Sequence, residues 1–147
     1  MKRGYFGIGV YHPKTTENIG TLWRSAFLFG ADFIFTIGLR YHKQPSDTTD
    51  APKHIPLYNF ETYEDFEKFL PFGAEVVCIE QDEKARDLPI VNHPERAIYL
   101  LGAEDKGIPQ DILKGKQVIQ IPYEKPFSAN VAVAGSIVLY DRLAKSK

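Results

Sequence analysis

The sequence predicts an α/β domain built on a largely parallel sheet flanked by helices, and two observations carry that prediction. Apolar runs of strand length alternate with segments of helical period along the chain, the pattern of strands joined by crossover helices. Three short polar signatures stand at the edges of those runs: Asn18-Ile19-Gly20 with Arg24, Gly102-Ala103-Glu104-Asp105-Lys106-Gly107, and Ser128-Ala129-Asn130. A length of 147 residues suits one domain, read here as residues 1–147, and suffices for a core without staples.

Tyr5 to Tyr11 has strand length and aromatic, β-branched content, and Pro13 closes it. Thr15 or Thr16 can cap the helix that follows, in which Leu22, Ala26 and Phe29 recur on a helical period and Gly30 is the stop. Asp32 to Gly38 reads as a buried strand. Leu39 to Pro56 is polar, holds Pro45, Pro52 and Pro56, and reads as a long irregular loop. Tyr63 to Leu70 is a short amphipathic helix with Phe66, Phe69 and Leu70 on its apolar side. Glu75 to Ile79 is the next strand, Gln81 to Pro94 a connection, and Arg96 to Leu101 a strand that runs into the second signature. Pro109 suits the first position of a short helix reaching about Leu113. Gln117 to Ile121 is the last strand, ended by Pro122. From Asn130 to Leu143 the chain is helical and apolar on nearly every side at first, so this helix is buried by its own domain or by another subunit.

Hydrophobic residues at 44% and charged residues at 25% place the chain among globular proteins. The net charge of −1 argues against RNA binding by bulk electrostatics, so any RNA affinity needs a local patch, a dimer groove or a partner. The one cysteine, Cys78, lies in an apolar run and reads as a small core residue. His12, His42, His54 and His93 share no metal-ligand spacing, and no metal is expected. No secretory leader or membrane-length run is read, which favours a cytoplasmic protein without a membrane partner.

Each signature has a plain reading as a turn or a helix cap. In the first, Gly20 and Arg24 share a helix face, and Arg24 can lie over the recess left by Gly20, where a guanidinium can hold a phosphate or ribose. In the second, two glycines with a carboxylate between them follow a strand directly, which allows a tight loop whose backbone approaches a planar ligand. Ser128 is a candidate cap of the last helix. Ligands in parallel sheets sit beyond the carboxyl ends of strands, where the second and third signatures fall.

In order, the three signatures resemble the motifs of the SpoU-type branch of the SPOUT RNA methyltransferases: N-x-G-x-x-x-R, G-x-E-x-x-G, and a Ser-x-Asn opening the last helix. The third departs from the family, since Ala129 replaces a leucine or methionine and the preceding loop has no glycine. The resemblance implies a C-terminal trefoil knot, S-adenosylmethionine as cofactor, and methylation of a ribose 2′-hydroxyl in tRNA or rRNA. It assigns catalytic positions to Asn18, Arg24, Glu104, Ser128 and Asn130, and cofactor contacts to Ile79, Leu101, Gly102, Ala103, Gly107, Ile121 and Ser128. Arg24 would act as a base or, since a guanidinium rarely gives up its proton, position the target and stabilise its developing charge. The resemblance also implies a homodimer with the first and last helices at its interface and a site drawn from both subunits. It covers nearly the whole chain, as a minimal catalytic domain, and a partner protein could deliver the RNA. The alternative is an RNA-binding or assembly protein that kept the fold and lost the chemistry.

Overall fold

The computed structural model describes residues 4–38, 54–103, 105–126 and 129–146. Its elements follow in the order β1 (Tyr5–Tyr11), α1 (Thr16–Leu28), β2 (Phe33–Ile37), β3 (Leu57–Phe60), α2 (Tyr63–Phe69), β4 (Glu75–Ile79), β5 (Arg86–Asp87), a 3-10 turn at Leu88–Ile90, β6 (Arg96–Gly102), α3 (Gln110–Leu113), β7 (Gln117–Gln120) and α4 (Val131–Lys145). Seven strands form one sheet in the order β3-β2-β1-β6-β4-β7-β5, and every pair is parallel.

Alternation along the strands divides the core between the two faces. Ile8, Val10, Tyr99 and Leu101 point to one face, under Leu22 of α1 and Val138 of α4. Phe33, Phe35, Ile98 and Leu100 point to the other, against Phe66 of α2 and Leu113 of α3. Helices therefore cover both faces, as buried parallel strands require.

Helices α1 and α4 lie side by side and run in the same direction. Asn130 Nδ2 donates to Asn18 Oδ1 at 2.8 Å near their starts, Ser136 Oγ donates to Ser25 Oγ at 2.7 Å further along, and Phe29 at the end of α1 meets Tyr140 edge-on. Gly135 permits the approach, because a Cβ there would stand 2.6 Å from Leu22 Cδ1. The far end of α4 is fastened to the segment before β6. Arg142 donates to the carbonyls of Pro94 at 2.7 Å and Glu95 at 2.9 Å, and Lys145 to those of Leu88 at 2.7 Å and Val91 at 2.8 Å. His93 bridges Tyr99 Oη and Asp141 Oδ2, each at 2.7 Å.

Three boundaries differ from the sequence reading. β3 was not expected: it is an edge strand of four residues beside β2, with Tyr58 and Asn59 exposed, so its apolar signal is thin. The expected connection from Gln81 to Pro94 contains the two-residue β5. Pro109 caps α3 rather than occupying its first turn. Within the loop read over Leu39 to Pro56, residues 39–53 lie outside the described residues, and with them the cluster Arg40, Tyr41, His42 and Lys43.

Candidate active site

The carboxyl ends of β4, β6 and β7 open into a cavity of about 280 Å3. Ile79 ends β4, Leu101 and Gly102 end β6, and Ile121 follows β7; with Val131 of α4 they give the cavity apolar walls. Ala103 and Gly107 complete one side, so six of the seven residues expected to meet the cofactor line one space. The seventh, Ser128, lies outside the described residues, as does Glu104. Glu80, Gln81, Lys106, Gln120 and Tyr123 supply polar groups to its lining. A cavity that combines apolar walls with polar groups fits a nucleoside, whose base is flat and whose sugar and substituents hydrogen-bond.

The second signature forms a turn folded back on itself. Gly107 N–H donates to Ala103 carbonyl oxygen at 2.8 Å, and the two residues form an antiparallel bridge. A Cβ on Gly102 would stand 2.6 Å from Gly107 C and 2.8 Å from Ile108 N, so the returning strand of the turn fills the room that Gly102 leaves. The sequence reading gave that room to the ligand; the structure gives it to the loop. Gly107 takes φ +67°, a left-handed conformation that favours glycine.

Beside this cavity lies a second one of about 360 Å3, lined by Val10, Pro13, Lys14, Thr15, Asn18 and Asp105, with Ala103 and Val131 common to both. Asn18 and Asn130 thus meet at the junction of α1, α4 and the second signature. Thr15 caps α1, accepting from Asn18 N–H at 3.4 Å. Asn130, not Ser128, caps α4: its side-chain oxygen accepts from Ala132 N–H at 2.8 Å. His12, just before Pro13, has φ 53°, the one positive value outside glycine among the described residues. Such backbone conformations cost on the order of 1–3 kcal/mol and cluster at functional sites. Arg24 stands apart from both cavities, exposed on α1 with no hydrogen bond or ion pair among the described residues.

The sequence reading missed Glu80, Gln81, Lys106, Gln120 and Tyr123. Glu80 and Gln81 follow β4 directly, so their position at a strand's carboxyl end was the available signal. Burial raises the Tyr123 phenol above its ordinary pKa against an opposing hydrogen bond with the Ala129 backbone. Cys78 is fully buried, and burial pushes its thiol up to about 11, which keeps it protonated and inert.

Helix α4 is buried in part by its own domain: the sheet and α1 bury Val131 and Val138. Val133, Ile137 and Tyr140, at 50%, 37% and 61% exposure, make the outward apolar face. The helix is apolar on two sides because one side serves its own core.

The fold agrees with comparisons to known proteins. The pattern of the SpoU rRNA Methylase family matches residues 6–140. This chain belongs to that family. The mouse tRNA (guanosine(18)-2′-O)-methyltransferase TARBP1 is 26% identical over 132 residues, which span 84% of this chain and 8% of that protein. A structure solved for the 2-OH methylation of C/U34 on tRNA superposes with a TM-score of 0.85 at 24% identity, covering 98% of this chain and 99% of the other. The SpoU methyltransferase AviRb from Streptomyces viridochromogenes, solved in complex with AdoMet, gives 0.84 at 18% identity, over 99% of this chain and 59% of that one. No helix among the described residues is long and apolar enough to cross a membrane.

Proposed function

We propose that this chain is an S-adenosylmethionine-dependent RNA methyltransferase that modifies a ribose 2′-hydroxyl in tRNA or rRNA. The observation that carries this reading is the pair of adjoining cavities: one walled by Ile79, Gly102, Ala103, Gly107 and Ile121, the other holding Asn18. The first is the cofactor pocket, with Leu101 and Ile121 against the base. The second receives the ribose that is methylated.

When bound, S-adenosylmethionine supplies an electrophilic methyl group on a sulfonium. The protein's task is then placement and charge. Asn18, held by Asn130, borders the junction where the hydroxyl enters, and alignment of the reacting atoms there supplies much of the acceleration. Arg24 binds the target phosphate and stabilises the developing alkoxide. It lines neither cavity of its own protomer, so it serves the site of the other protomer in a homodimer. Leu28 of α1 at 66% exposure, with Val133, Ile137 and Tyr140 of α4, forms the apolar face for that pairing.

The sheet order β6-β4-β7, with α4 returning over the sheet and tied by Arg142 and Lys145 to residues 88–95, supports the trefoil knot. We read residues 1–147 as one catalytic domain acting in the cytoplasm. The net charge of −1 leaves room for a partner protein that presents the RNA. Calorimetry with S-adenosylmethionine, followed by labelled methyl transfer to total RNA, tests the reading. Cofactor binding without transfer to any RNA would favour the alternative of an inactive RNA-binding protein.

A further inference from the structure

We infer that Glu80 is a positioning residue for the cofactor pocket: together with Gln81 it clips the two loops that wall the cavity to the end of β4. The inference rests on the reading of that cavity as the S-adenosylmethionine site and adds to it the element that sets its shape.

The turn from Gly102 to Ile108 returns toward β4. Glu80 Oε2 accepts from Ile108 N–H at 2.7 Å, and Glu80 Oε1 accepts from the adjacent Gln81 N–H at 3.2 Å. Both oxygens are therefore engaged, and the charge-assisted bond to Ile108 is of the strong, short kind. Gly107 fits this arrangement for a second reason besides its φ: a Cβ there would stand 2.6 Å from Glu80 Oε2. The glycine and the carboxylate are one device, assembled from positions 27 residues apart in the chain.

Gln81 secures the opposite wall. Its Nε2 donates to Ile121 carbonyl oxygen at 2.9 Å, at the point where the chain leaves β7 for the third signature. Glu80 N–H continues the ladder by donating to Ile119 carbonyl oxygen at 3.0 Å, which fixes the base of the clip to the sheet. Two adjacent residues thus hold the loop carrying Ala103 and Gly107 and the loop beginning at Ile121 at a set separation. A slot for a flat base depends on that separation, because a gap of 0.5–1 Å forfeits about a quarter to a half of each dispersion contact.

The test is titration of Glu80→Ala and Glu80→Gln with S-adenosylmethionine by calorimetry, beside the parent and with thermal unfolding of the unliganded proteins. Glu80→Ala should weaken binding about tenfold or more, the scale of one charge-assisted hydrogen bond. Glu80→Gln keeps an oxygen that accepts from Ile108 N–H and should recover most of that loss, while thermal unfolding of the unliganded proteins confirms that both variants are folded at the titration temperature. Glu80→Ala binding as tightly as a parent that does bind would overturn the inference. So would equal losses in Ala and Gln variants. A parent that does not bind S-adenosylmethionine would instead overturn the proposed function.

Discussion

Replacing Gly102 by valine should disable cofactor binding by deforming the loop that walls the pocket. The new Cβ would stand 2.6 Å from Gly107 C, 2.7 Å from Gly107 Cα and 2.8 Å from Ile108 N, all backbone atoms that no rotamer change can move aside. Ordinary carbon contacts begin near about 3.5 Å, so the returning strand of the turn must retreat by about 1 Å. That retreat strains the 2.8 Å bond from Gly107 N–H to the Ala103 carbonyl and the 2.7 Å bond from Ile108 N–H to Glu80. Overpacking of this kind costs about 1–3 kcal/mol, which lowers the melting temperature of a chain this size by about 2–10 °C. The same displacement enters a cavity of about 280 Å3, and a loss of 1.4 kcal/mol in contacts there is about tenfold in affinity. Calorimetry and thermal unfolding on one preparation read both effects. Parental affinity for S-adenosylmethionine in Gly102→Val would refute the assignment of the pocket.

Arg24→Ala should keep cofactor affinity and lose about 10²–10³ in single-turnover methyl transfer, with Arg24→Lys rescuing poorly because it lacks the planar fork; an unchanged rate would return Arg24 to the role of a surface residue. Val133→Asp with Tyr140→Asp should convert a homodimer to monomers in sedimentation and reduce transfer while leaving cofactor binding intact, whereas a parent that is already monomeric at micromolar concentration contradicts the composite site. Burial lowers the His93 pKa below its ordinary 6.5, with the Asp141 contact opposing, so the unfolded chain takes up the proton first as pH falls. The stability that neutral His93 contributes is therefore full above about pH 6.5 and declines below it. Denaturant midpoints against pH should show that decline, and His93→Gln should flatten it; identical pH profiles would remove His93 from the account.

Long apolar runs were legible because burial imposes a period on them. β1, β2, β4, β6 and β7 and the helices α1, α2 and α4 follow from that alone, whereas β3 and β5 escape because four and two residues carry no period. The residues that line the cavity were legible where motif and strand end coincide, as at Gly102 and Ile121. Glu80 was not, since its function depends on Ile108 and Gly107 arriving from another loop. The cap of α4 shows a different limit: Ser128 and Asn130 are both good capping residues, and only the backbone decides between them. The two sides of α4 were legible as apolar but not as separate, because sequence gives a helix its period and not the position of its neighbours.

The most direct measurement incubates the protein with methyl-labelled S-adenosylmethionine and tRNA or rRNA lacking modification, then digests the RNA to nucleosides and locates the label. The account predicts label on a ribose 2′-oxygen, seen as a 2′-O-methylnucleoside and as a dinucleotide resistant to alkaline cleavage. Label on a base, or cofactor bound with no label in any RNA, would contradict it.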